Sequence, residues 1–108
     1  MSALYVMRYE GVAGVGHGAV FIGKGKILGV DIKGAKYEGT YLSKDGSLSG
    51  AATLISAGGE LVTGEAVPAG TRLQIVFDLP ASAANGEFQL RIAGKPVRVL
   101  LAKVGDVP

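Results

Sequence analysis

The amino-acid sequence predicts an all-β chain, a sandwich or barrel, with short links favouring a small antiparallel, up-and-down barrel of about eight strands. Three observations lead there. Apolar and polar residues alternate cleanly in the C-terminal third, with Leu73, Ile75, Phe77 and Leu79 opposite Arg72, Gln74 and Asp78, the pattern of a half-buried strand. Turn signals recur about every 8–12 residues. No stretch sustains the 3.6-residue period of a helix.

Residues 4–9 form the first strand, apolar on both faces. Residues 11–18 read as a glycine-rich turn, and residues 19–22 as a second, short strand. Gly23-Lys24-Gly25 then leads into a central hairpin of strands 26–32 and 35–42. Its turn is placed at Lys33-Gly34, where Gly34 supplies the positive φ that a two-residue link requires. Gly29 and Gly39 interrupt its two arms and mark a bulge, a bend or a close backbone approach. A hairpin bent on both arms is what a sheet needs in order to curl into a barrel. Beyond the Asp45-Gly46 turn, residues 47–56 make a strand of small residues. Residues 57–70 are loop-like, with a candidate short strand at 60–63, and residues 80–86 are a candidate helical turn. Phe88, Leu90 and Ile92 then oppose Glu87, Gln89 and Arg91, and Val97, Val99 and Leu101 complete the inward set.

The totals narrow the function classes. A chain of 108 residues is read as a single domain, residues 1–108, able to bury roughly two-thirds of its unfolded surface. With no cysteine there is no disulfide framework and no zinc-thiolate site, which suits a reducing, cytoplasmic setting. No leader peptide and no membrane-spanning apolar run is evident. A net charge of +2 is too small to argue for direct nucleic-acid binding.

Candidate chemistry is sparse. His17 is the sole histidine, read as a turn residue, since a metal site or hydrolytic triad needs companions beside it. The run Gly14-Val15-Gly16-His17-Gly18 is followed by β-rich sequence, not by the helix that a phosphate-binding loop requires. Lysines 24, 26, 33, 36 and 44 gather around the central hairpin, where an anion-binding stripe competes with the commoner role of guarding strand edges. Asp31 lies in an apolar strand just before a turn. Its carboxylate is expected to accept turn N–H groups, with a pocket or partner as the functional alternative. No catalytic, cofactor-binding or metal-ligating set is visible, so no enzyme activity and no cofactor is expected.

Two binding surfaces are also legible. The inward residues Phe77, Phe88 and Leu90 are candidates to line a cavity for a small apolar molecule. The first half of the chain is apolar on both strand faces, which a self-associating surface would explain. Leu28, Val30, Tyr5 and Met7 are the residues assigned to such a homodimer surface.

Gly29-Val30-Asp31 followed by Tyr37-Glu38-Gly39-Thr40-Tyr41, with the glycines at 16–18 upstream, resembles the GrlR-like family. These are small bacterial proteins named for a negative regulator of type III secretion genes. Leu4-Tyr5, Asp45-Gly46 and the chain length also fit, and the resemblance covers most of residues 1–56. It implies family-motif positions at Gly29, Asp31, Tyr37, Gly39 and Tyr41, and a calycin-like barrel, usually dimeric, that binds a regulatory protein. In the named regulator, that partner is a transcriptional activator held through an acidic loop after the Tyr-x-Gly motif. The matching positions here are Lys44, Asp45 and Gly46, with one acid and one lysine. The resemblance thus implies a non-catalytic regulatory protein-binding module, and the residue-level alternative is a small-molecule or lipid carrier using the barrel interior.

Overall fold

Alternation of side chains, inward then outward, places every long strand of the chain in one antiparallel sheet. The computed structural model describes residues 2–80 and 86–108. In chain order the strands are β1 (Ser2–Gly11), β2 (Gly14–Gly23), β3 (Lys26–Asp31), β4 (Lys36–Lys44), β5 (Ser47–Ile55), β6 (Gly59–Glu60), β7 (Ala66–Val67), β8 (Arg72–Pro80), β9 (Glu87–Ile92) and β10 (Lys95–Asp106). Among the described residues there is no helix, and hence none long and apolar enough to cross a membrane. The candidate helical turn at 80–86 falls largely on residues outside those described.

The sheet runs β8-β5-β4-β3-β2-β1-β10-β9. Each neighbour follows the other in the meander, once the β6–β7 excursion is set aside, and β10 closes back on β1. The terminal strands β8 and β9 pack against each other, so the sheet curls into a nearly closed barrel. Full closure is what removes exposed sheet edges. The up-and-down barrel expected from the alternation is the architecture observed.

Three links are two-residue turns with positive φ at both positions: Lys24-Gly25, Asp45-Gly46 and Ala93-Gly94. Such turns match the right-handed twist of the strands they join. The central link differs from the expected two-residue turn. β3 stops at Asp31 and β4 starts at Lys36, because the Asp31 carboxylate takes the Lys33 and Ala35 N–H groups at 2.9 and 3.0 Å. The residues expected as a turn at 11–18 are also different. They form the Gly11↔Gly14 hairpin end and then a regular strand, paired Glu10↔Val15 through Met7↔Gly18. His17 therefore lies in β2 opposite Arg8, exposed on the outer face.

Neither Gly29 nor Gly39 is a bulge. Both sit in register, opposite Tyr37 and Ile27 respectively, and the described bulge of β1 lies at Leu4/Tyr5 against β10. Gly29 is needed for close approach: a Cβ there would come within 2.9 Å of the Ala19 carbonyl oxygen and 3.3 Å of the Tyr37 ring.

Ala3, Tyr5, Val20, Tyr37, Leu54, Ile75, Ile92, Val97, Val99 and Leu101 form the buried cluster, and Met7 packs against it. Tyr5 and Met7 consequently cannot belong to the outer dimer surface assigned to them. The pleat sends odd-numbered residues of β1 inward, and Leu4 and Val6 are the ones left exposed.

Candidate functional site

The barrel is filled unevenly. At the end formed by the β1–β2, β3–β4 and β9–β10 links, residues 56–71 fold across the opening. Two backbone bonds between Ser56 and residues 70–71 close this loop at its base. The short β6–β7 ladder stiffens it, and the Ala13 N–H donates to the Val62 carbonyl at 2.8 Å. Leu61 and Val62 pack down onto the core. The candidate strand at 60–63 is thus shifted: pairing stops at Glu60, and Leu61 to Gly64 make a turn that carries Thr63 into the barrel end.

Beneath this cover lies a cavity of about 180 Å³. Phe77, Phe88 and Leu90 line it, as do Leu54 and Ile75. Its size exceeds that of an apolar cavity of about 150 Å³ known to hold benzene. Towards the end away from the loop, Ile22, Ile27, Leu48, Phe77 and Phe88 are only half-buried.

One group of polar side chains faces this apolar interior. Asp31 is 8% exposed, and its Oδ2 accepts the Tyr9 hydroxyl at 2.7 Å and the Tyr37 hydroxyl at 3.3 Å. With the two turn N–H groups on Oδ1, the carboxylate has four donors, which offsets the cost of burying it. Asp31 is therefore both a turn residue and a wall of the cavity.

Glycines make this arrangement fit. Tyr9 pairs with Gly16 across β1 and β2, and a Cβ on Gly16 would lie 2.1 Å from the Tyr9 Cζ. The phenol occupies the space that a side chain would fill and so reaches over β2 to β3. Tyr37 lies against Gly29 in the same manner. A glycine facing an aromatic residue across strands lets the ring cover otherwise bare backbone.

Burial pushes the Tyr9 phenol up to about 12, helped by the hydrogen bond to Asp31. Burial pushes Tyr37 in the same direction, reinforced by the neighbouring Tyr9 hydroxyl and the Asp31 charge. Both phenols are thereby held neutral and hydroxyl-bearing.

The remaining sequence candidates lie elsewhere. Lys44, Asp45 and Gly46 are exposed at the β4–β5 turn, at the opposite end of the barrel from Asp31. Gly39 and Tyr41 continue β4 away from the acid, and Tyr41 lines the cavity. Lys24, Lys26 and Lys44 are separated from Lys33 by the length of the strands, so the lysines form no single stripe. Leu28 and Val30 face outward, 54% and 49% exposed. Through the ladders they adjoin Phe21 and Ala19, then Leu4 and Val6. Among the described residues no group of three or more His, Asp or Glu side chains is placed to hold a metal.

Sequence reasoning missed Tyr9 and Thr63. Tyr9 has a local signal, an inward tyrosine opposite a glycine, but that signal is readable only once residues 14–18 are taken as strand. Thr63 is 1% exposed and its Oγ1 has no hydrogen-bond partner among the described residues; nothing in a loop-like sequence marks it.

Compared with known proteins, the chain matches no family model, no curated protein and no solved structure.

Proposed function

We propose that this chain is a non-catalytic, cytoplasmic binding protein that takes up a small, mainly apolar molecule inside its barrel. The cavity of about 180 Å³ beneath loop 56–71 carries this reading. Interiors normally pack to crystal-like density with few voids larger than water, so an apolar space of this size is a candidate binding site. Filling it tests the reading. Leu54→Trp is expected to abolish uptake of a benzene-sized probe measured by calorimetry, and unchanged uptake would overturn the assignment.

A second reading, regulatory protein binding as a homodimer, rests on the outer face. Leu4, Val6, Phe21, Leu28 and Val30 form one apolar patch across β1, β2 and β3. The patch is bordered on β4 by Lys36 and Glu38, and beyond Leu100 by an ion-pair chain of Arg8, Glu10, Arg98 and Glu87. Both signs occur at each border, which suits a second copy of this chain related by a two-fold axis. This reading keeps the resemblance to GrlR-like regulators of type III secretion genes, with Lys44, Asp45 and Gly46 as the contact for a further protein. Val30→Lys is expected to convert a dimer into a monomer in sedimentation equilibrium; a wild-type monomer would remove this reading and leave the cavity untouched.

A further inference from the structure

We infer that the cavity selects a ligand bearing a hydroxyl group: a compact alcohol, bound with its hydroxyl at the Tyr9–Asp31–Tyr37 end. This inference rests on the cavity reading above and specifies the chemistry of its occupant.

The argument counts donors and acceptors. Asp31 Oδ1 holds the Lys33 and Ala35 N–H groups, and Oδ2 holds the Tyr9 and Tyr37 hydroxyls. A carboxylate offers about four acceptor sites, so these four donors occupy them. Each phenol has one proton: that of Tyr9 is committed to Asp31, and that of Tyr37 is shared between Asp31 and the Tyr9 oxygen. Tyr9 and Tyr37 can therefore offer a ligand only the lone pairs of their oxygens. A ligand group placed there must donate.

Thr63 takes no part in this recognition. It adjoins the same cavity, but its Oγ1, without a partner among the described residues, is closed off from the cavity as well as from solvent.

A hydroxyl donates without carrying a charge. A ketone or ether has no proton to give to the tyrosines. An ammonium brings a charge whose burial in an apolar interior is costly. A carboxylate brings a second negative charge beside Asp31, and like charges disfavour one another in a buried site. The volume limits the rest of the molecule: about 150 Å³ holds benzene, so this cavity takes roughly one ring with one or two further heavy atoms.

The experiment is a calorimetric titration of the full chain with toluene, benzyl alcohol, benzylamine and benzoate, which share one ring. Benzyl alcohol is expected to bind about tenfold more tightly than toluene, the worth of one or two net hydrogen bonds, and more tightly than either charged analogue. Thr63→Val keeps the shape and removes a hydroxyl that the cavity does not reach. It is expected to leave both the alcohol preference and the toluene affinity unchanged. Toluene binding with no preference for the alcohol overturns the hydroxyl assignment and spares the cavity. Benzylamine as the tightest ligand overturns it too, since recognition would then lie with the Asp31 charge. An alcohol preference lost in Thr63→Val overturns the placing of the ligand hydroxyl at the tyrosines. No binding of toluene or the alcohol overturns the cavity reading itself.

Discussion

The Tyr9 hydroxyl donates to Asp31 Oδ2 at 2.7 Å across the full width of β2. The two residues are on strands that are not ladder neighbours, and the bond passes over Gly16, the residue between them that has no side chain in the way. This contact joins the barrel wall, the β3–β4 turn and the polar end of the cavity.

Asp31 is therefore expected to be the most sensitive polar position of the chain. Asp31→Ala strands two backbone N–H groups and two phenols, and should cost about 3–5 kcal/mol of stability. Asp31→Asn keeps a carbonyl oxygen for the turn and should cost about half as much. Urea unfolding midpoints check both; equal losses would mean that the turn bonds contribute little.

Gly16→Ala should act through Tyr9. Its Cβ would occupy the space of the Tyr9 phenol, displacing the ring from Asp31 at a cost of about 1–3 kcal/mol. In a Tyr9→Ala background the same substitution should be nearly neutral. A double-mutant cycle measures the coupling, and purely additive effects would show that Gly16 serves some other purpose.

Alkaline stability should report on the buried phenols. The folded-state pKa of Tyr9 is raised to about 12 from 10.0, so its neutral form contributes stability that is fully present below pH 10.0. That contribution is lost as pH rises towards about 12, because the unfolded chain releases the proton first. Tyr37 acts in the same sense. Tyr9→Phe should flatten the fall in urea midpoint over this range, and an unchanged slope would argue against a buried Tyr9 phenol.

Thr63→Val should stabilise the protein by about 1 kcal/mol or more, since it deletes a buried hydroxyl that lacks a partner among the described residues. Thermal denaturation without added ligand is the check, and a loss of stability would show that Oγ1 is paired in solution.

Much of this was legible in the sequence. Alternation at Leu73–Leu79 and at Phe88–Ile92, with Asp45-Gly46 and Ala93-Gly94 as turns, suffices for a curled meander, because a period of two fixes which side chains face inward. The same rule separates Tyr5 and Met7 from Leu4 and Val6, but not which pair faces out: both are apolar, and only pairing with β2 and β10 decides it. Residues 14–18 read as a turn because glycine weakens any strand signal. Their glycines instead make room for neighbours across the sheet, such as the Tyr9 ring over Gly16. The anchoring role of Asp31 was visible from its place before a turn, whereas its phenol partners depend on contacts between strands that local pattern does not encode. Thr63 was invisible because a loop's descent into a barrel leaves no periodic trace.

The central claim is that the barrel interior holds a small apolar molecule. The most direct measurement is a methyl NMR titration of the full chain with toluene. The account predicts saturable shifts at inward methyl groups such as those of Leu54, Ile75 and Leu90, which line the cavity, and little change at Leu28 and Val30 on the outer face. Shifts confined to Leu28 and Val30, or none at any concentration that toluene reaches in water, would contradict it.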